Sequence, residues 1–300
     1  MTKFSLALLA SATLAKNLDT SGTSEFQEFI GKFGKNYTTT EQINTRMQVY
    51  LDNKEIVRGL NEANAGTGLT FSMNNSMSDL TRDEFKQRLG LDLSKDPEAK
   101  KAAEDNASGI GSGMLGGGGR NLQSDMSINW IDQDRVYPAK NQLECGSCWA
   151  FAATTVQESV QAIKSNKPAV RLSEQEGVDC DKESEGCNGG WMTSYWKMSA
   201  KIGSQLNETY KYEGKDLKCR NQTGKKIASK AKASSIRYMQ KDEMKSQIQK
   251  SPFTVAMDAA GDCWHFYSSG IISSESKCGG NTWEDLNHGV AVVGLDESGD

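Results

Sequence analysis

The stretch Gln142-Leu-Glu-Cys145-Gly-Ser-Cys148-Trp-Ala-Phe151 decides how this chain is read. Beyond Cys148 the apolar positions Trp149, Ala152, Val156, Val160 and Ile163 recur at helical spacing, which predicts an amphipathic helix that starts at Cys148. A cysteine in a first helical turn meets unsatisfied backbone N–H groups and the positive end of the helix dipole, and both stabilise a thiolate. Cys148 is therefore the candidate nucleophile. Two other chemistries use Cys-x-x-Cys. A dithiol redox pair requires a preceding βαβ context and leaves Gln142, Gly189-Gly190 and His288 without a role. A zinc site needs further closely spaced Cys or His, and the chain has only two histidines, His265 and His288. No metal and no cofactor are expected.

Working outward, the net charge of −4 and the absence of a long Lys/Arg block remove the electrostatic footprint of nucleic-acid binding. All seven cysteines and all six tryptophans follow Gln123, which marks off a second, disulfide-bearing domain with one thiol to spare. Ahead of it, Lys3 and the apolar run from Phe4 to Ala10, closing on Thr13-Leu-Ala15, have the form of a secretory signal peptide over residues 1–15. No other stretch is long and apolar enough to span a bilayer.

Residues 22–90 read as a charged helical unit. Ile43, Met47, Tyr50, Val57 and Leu60 form one stripe of a long helix ended by Gly66 and Gly68. Phe71, Met73, Asn75 and Met77 alternate as in a strand, and Thr81-Arg-Asp-Glu84 opens a second helix that Gly90 closes. Ser94–Gln123 has no aromatic residue and ends in Gly116–Gly119, so residues 91–122 are expected to be a Gly-rich linker where activation cleavage falls. Its Gly111-Ser-Gly-Met-Leu-Gly116 matches a dinucleotide-binding pattern by accident of composition, with no strand expected before it and no helix after it.

The segment around Cys148 resembles the nucleophile segment of papain-family, cathepsin L-like cysteine peptidases. Lys140-Asn-Gln142, Leu172-Ser-Glu-Gln175, Asp179-Cys-Asp181, Gly186-Cys-Asn-Gly-Gly190, Tyr210-Lys-Tyr-Glu-Gly214, Cys219 and Asn287-His-Gly289 match in order. The resemblance implies an α+β fold of two lobes, one helical and one barrel-like, over residues 123–300. It implies Cys148 as nucleophile, His288 as its proton partner and Gln142 in the oxyanion hole. His265 is read as structural or as part of the cleft rim. The family's disulfides correspond to Cys145–Cys187 and Cys180–Cys219. Its substrate-binding positions correspond to Gly189 and Gly190, which offer backbone, and to Trp191, Met192, Ala256 and Gly289, whose uncharged pocket favours a hydrophobic or aromatic P2 residue.

The N-terminal unit resembles the family's inhibitory propeptide through Arg46, Tyr50, Asn53, Val57 and Asn61, then Asn75-Ser-Met77-Ser-Asp79. The whole is thus expected to be a zymogen of a cysteine endopeptidase, a monomer acting on protein or peptide substrates. Its own propeptide is the intramolecular inhibitor, and it is bound for a lysosome or vacuole or for secretion. The family's closing segment, with an Asn that orients the histidine, an Asn-Ser-Trp-Gly run, further strands and a last cysteine, does not follow Gly294. An incomplete piece of a longer protein is the simplest account. That leaves the sheet at His288 with an open edge, Cys278 orphaned, and Cys263 as its one conceivable partner. The alternative is an inactive relative that inhibits other cysteine peptidases through its propeptide.

Overall fold

The computed structural model describes residues 20–105, 111–114, 127–220, 227–239, 243–273, 276, 278 and 285–296. The expected signal peptide, residues 1–15, lies outside them, as does most of the chain between 106 and 126. Contacts divide the molecule into two compact units, residues 1–81 with 266–272, and residues 82–265 with 273–300.

The first unit is built on two helices, α1 (Thr20–Phe33) and α2 (Thr40–Ala63). Thr39 caps α2: its side chain accepts from the Gln42 amide while the Gln42 side chain reaches back to the Thr39 N–H, so two orphaned donors are satisfied at once. Phe26, Phe29 and Tyr50 form the core between the helices. The loop after α2 is tied to that helix by amide side chains. Asn61 exchanges two hydrogen bonds with the Phe71 backbone at 2.9 and 3.0 Å, and Asn53 donates to the carbonyls of Ser78 and Leu80. Lys35 meets Asp79 at 2.7 Å, Tyr37 donates to the same carboxylate, and Arg46 holds the Asp79 carbonyl.

The strand expected through Phe71–Met77 is confined to β1 (Thr70–Phe71), which pairs with a strand at Tyr267–Ser269. Ser72 N still donates to the Phe266 carbonyl, and from Met73 onward local side chains take over: Asn75 Oδ1 accepts from Met77 N, and Ser78 Oγ donates to the Met73 carbonyl. Local side-chain bonds of this kind compete with a ladder and here displace it.

The second unit opens with α3 (Arg82–Lys86). A short 3₁₀ turn at Leu93–Lys95 and α4 (Pro97–Asp105) follow, and a strand, β2 (Gly111–Met114), comes later. The stretch expected to be linker is therefore ordered over much of its length. Pro97 sits at the first helical position with Asp96 as cap, its Oδ1 accepting from Glu98 N and Ala99 N at 3.1 Å.

The helical part continues with α5 (Cys148–Ser165), α6 (Glu174–Cys180) and α7 (Met192–Ile202). Trp149, Trp191, Tyr195 and Trp196 are fully buried among them. The sheet part contains β3 (Ile128–Asn129), β4 (Ile236–Met239), α8 (Met244–Ile248), β5 (Phe253–Met257), α9 (Asp262–Phe266), then β6 (Tyr267–Ser269, in the first unit), β7 (His288–Val292) and β8 (Gly294–Leu295). Four strands pair in the order β4-β2-β5-β7, all antiparallel, and β3 pairs with β8. β2 occupies the slot between β4 and β5 and pairs with both. Disulfides join Cys145–Cys187, Cys180–Cys219 and Cys263–Cys278. Cys278 is thus bonded rather than orphaned, and Cys148 is the free thiol.

Candidate active site

Cys148 begins α5, as its apolar spacing requires, and it is buried. His288 begins β7, opposite Met257 of β5, and the next pair in register is Ala256–Gly289. That register brings the Gly289 N–H to 3.5 Å from Cys148 Sγ. Cys148, His288 and Gln142 line one cavity of about 400 Å³, together with Tyr137, Phe151 and Val290. His265 lies apart: it is buried and stacked on Phe85, with ring centroids 4.3 Å apart.

Gln142 is held by its local backbone. Leu143 sits in the left-handed region (φ 55°), unusual for a branched side chain, and its N–H is bonded to Asn141 Oδ1 at 2.8 Å. Two residues upstream, Lys140 is clasped between the buried carboxylates of Glu158 and Glu174, each at 2.8 Å. This ion cluster was not visible in the sequence, since its three members are scattered along the chain.

Residues 88–92 cross this site. Gln142 Nε2 donates to the Arg88 carbonyl at 2.8 Å and to the Cys145 carbonyl at 2.9 Å. The Gly90 carbonyl accepts from Gly190 N at 3.0 Å, and Asp92 N donates to the Gly190 carbonyl at 3.1 Å. Leu91 N donates to the Asn287 carbonyl at 3.1 Å. Gly90 passes so close to Gly146 that a Cβ there would lie 1.6 Å from the Gly146 carbonyl oxygen, so only glycine fits. The Leu91 side chain is buried in the same cluster as Met192 and Ala256, with Cδ1 3.3 Å from where a Gly289 Cβ would stand. Trp191 is fully buried in that cluster too.

This cover sets the charge state of the site. Burial pushes the Cys148 thiol up, against hydrogen bonds from the N–H groups of Gly289, Gly90 and Trp149 that act the other way. Burial pushes His288 down to about 4, and its Nδ1 has no hydrogen-bond partner among the described residues. Burial thus acts against charge on both groups, opposing the thiolate that the helix dipole favours.

Residues 125–300 match the profile of the papain family cysteine protease, and residues 26–85 that of the cathepsin propeptide inhibitor domain (I29). The chain belongs to the papain family. It is 32% identical to procathepsin L of Rattus norvegicus over 97% of this chain and 83% of that protein. It is 34% identical to cathepsin L 2 of Paramecium tetraurelia over 89% of this chain and 78% of that protein. Among solved structures, digestive procathepsin L 3 of Tenebrio molitor larval midgut superposes with a TM-score of 0.70 at 23% identity, covering 94% of this chain and 86% of that one. A recombinant stem bromelain precursor does so with a TM-score of 0.67 at 25% identity, covering 93% and 84%. The protein is thus a cathepsin L-like zymogen of a cysteine-type endopeptidase, with the α+β papain-like fold. The reading of the chain as an inactive relative that inhibits other cysteine peptidases through its propeptide is not favoured. The three disulfides suit the secretory pathway. Among the described residues no helix is long and apolar enough to cross a membrane.

Proposed function

We propose that Cys148 is the nucleophile, His288 its proton partner and Gln142 the side-chain donor of the oxyanion hole in peptide-bond hydrolysis. The observation that carries this reading is the convergence of a free thiol, the imidazole and the Gln142 amide on one cavity, with a backbone carbonyl of the chain itself already on Gln142. Once residues 88–92 leave, water reaches both titrating groups and the dipole of α5 favours the thiolate. The Cys148 sulfur then attacks the scissile carbonyl carbon, and the oxygen takes the negative charge between the Cys148 N–H and Gln142 Nε2. His288, holding the proton, delivers it to the departing amine as the C–N bond breaks. Water, deprotonated by His288, then cleaves the thioester and restores the thiol.

The pocket of Met192, Ala256 and Gly289 takes a hydrophobic or aromatic P2 side chain, and Leu91 is its resident occupant in the zymogen. Gly189 and Gly190 offer backbone to an extended substrate, and in the zymogen Gly190 bonds in this way to Gly90 and Asp92. Activation cleavage lies in residues 91–122. The protein acts as a monomer in a lysosome or vacuole, or outside the cell.

The test is hydrolysis of a fluorogenic peptide with Phe or Leu at P2 after acid processing of the chain. Cys148→Ala abolishes turnover, and Gln142→Ala lowers kcat by about 100- to 1,000-fold, the usual loss for one oxyanion donor. Turnover that survives Cys148→Ala would overturn the assignment.

A further inference from the structure

Asp96 is a carboxylate with no exposure to solvent, and its partners come from distant parts of the chain. Thr193 Oγ1, near the start of α7, and the Tyr238 hydroxyl, on β4, both donate to Asp96 Oδ2. Lys197, one turn further along α7, brings its ammonium to 3.4 Å from the same oxygen. Thr193 and Tyr238 also meet each other, with their oxygens 3.3 Å apart. The other oxygen, Oδ1, is taken up by the N–H groups of Glu98 and Ala99. Burial alone would raise the pKa of this group, yet the bonds from Thr193, Tyr238 and Ala99 and the Lys197 charge outweigh it and hold Asp96 below the usual carboxylate range.

The three donors from α7 and β4 lie outside residues 82–105, the stretch that brings Asp96. They are polar groups directed at one point, and without a ligand two hydroxyls would face each other in a site otherwise lined by core. Met192, which contacts the Leu91 pocket, directly precedes Thr193 in α7, so pocket and seat share one rigid helix. Lys197 keeps its side chain 39% exposed, which gives the seat a path to solvent.

We infer that Thr193, Tyr238 and Lys197 form a carboxylate-binding subsite, filled by Asp96 in the zymogen and, once that segment leaves, by an acidic side chain of a polypeptide lying along the same path. The inference rests on the reading of the cleft given above and adds to it a second determinant: a hydrophobic anchor at Met192 and Gly289, and an acidic residue some distance along the chain. Charge-assisted bonds from three donors to one carboxylate are the strong kind, and an isosteric amide cannot replace them all.

The seat is tested in the full chain carrying Cys148→Ala, so that no self-cleavage intervenes. Asp96→Ala should let trypsin cut at Lys95, Lys100 and Lys101 about 10-fold faster or more, because the charged bonds that held the segment are gone. Sodium acetate should return most of that protection, while acetamide, or sodium chloride at matched ionic strength, should not. Adding Thr193→Val and Tyr238→Phe should remove the acetate effect, with the circular dichroism of the chain unchanged. Acetate without effect, or equally effective in the triple variant, overturns the subsite.

Its role in substrate choice is read after acid processing of the active chain. Peptides with a Leu anchor and Asp or Asn at successive positions on either side should show, at one position, about a 10-fold preference for Asp that Tyr238→Phe abolishes. Equal rates for Asp and Asn at every position overturn the substrate half of the inference. Absence of any hydrolysis counts against the proposed peptidase site instead, and the acetate result then decides the seat by itself.

Discussion

Replacing Gly90 with alanine should open the zymogen without harming the rest of the fold. The new Cβ would stand 1.6 Å from the Gly146 oxygen, 2.2 Å from its carbonyl carbon and 2.7 Å from its Cα, all backbone atoms. Gly146 cannot give way: its N–H is bonded to the Cys187 carbonyl at 2.9 Å, and its neighbour Cys145 is joined to Cys187 by a disulfide. The displaced partner must be the segment itself. It loses the bonds made by the Gly90 carbonyl, Leu91 N and Asp92 N. At a net 0.5–1.5 kcal/mol each, these three come to about 1.5–4.5 kcal/mol, or about 10- to 2,000-fold in the equilibrium between closed and open cleft. The assay is alkylation of Cys148, the free thiol of the chain, by iodoacetamide at neutral pH, followed by mass spectrometry. Gly59→Ala serves as control. Gly59 is exposed in the C-terminal part of α2, its Cβ would touch nothing within 4 Å, and alanine there should stabilise the helix by about 0.5–1 kcal/mol while leaving the alkylation rate alone. If Gly90→Ala labels no faster than the wild type, the close approach at Gly146 does not hold the segment and the account of latency fails.

Two further outcomes follow from the electrostatics. His288 has a folded pKa of about 4 against an ordinary 6.5, so its contribution to stability is complete above pH 6.5 and is lost as pH falls towards 4. Between those limits the wild type should lose up to about 3 kcal/mol more than His288→Gln in urea unfolding, and equal pH slopes would refute a half-buried imidazole whose charge is disfavoured by desolvation. Lys140→Met leaves Glu158 buried without its cation, while Glu174 keeps Arg171 at 3.2 Å. It should cost about 3–5 kcal/mol at pH 7 in the same assay, and less in acid, where Glu158, already pushed up by burial, takes up a proton.

What could be read in the sequence was whatever a residue's near neighbours determine. The apolar period after Cys148 fixes α5 because helix faces repeat within a few residues, and the structure buries Trp149, Ala152 and Val156 as that period requires. Gly90 was legible only as a helix stop. Its second role, passing against Gly146, depends on a segment 56 positions later, as the numbering shows. Asp96 and α4 were misread for the same reason. Ala, Lys and Ser composition suggested a linker, yet Ala99 is fully buried because α7 and the core of the second unit supply its surroundings. A helix start was present in Asp96-Pro97-Glu98, and weighing that local signal against bulk composition would have found it. The Lys140, Glu158 and Glu174 cluster carries no local signal at all.

Latency in this protein needs no distortion of the catalytic groups, because one physical cause acts on both in opposite directions. Burial disfavours charge, so it raises an acid such as the Cys148 thiol and lowers a base such as the His288 imidazole. A thiolate–imidazolium pair requires the reverse of both shifts. The α5 dipole and the N–H groups around Sγ work towards the thiolate, and under the cover of Gly90 they lose to desolvation. Removing the cover changes neither helix nor histidine, only the water beside them, and the same groups then favour the charged pair. Acid acts through the imidazole: a proton taken up by His288 is better accommodated in the open cleft than in the closed one, so falling pH shifts the equilibrium towards release. The open form then already holds the imidazolium that the leaving amine needs. The step that frees the cleft and the step that charges the histidine are therefore thermodynamically one event, and a segment that blocks access also withholds the chemistry.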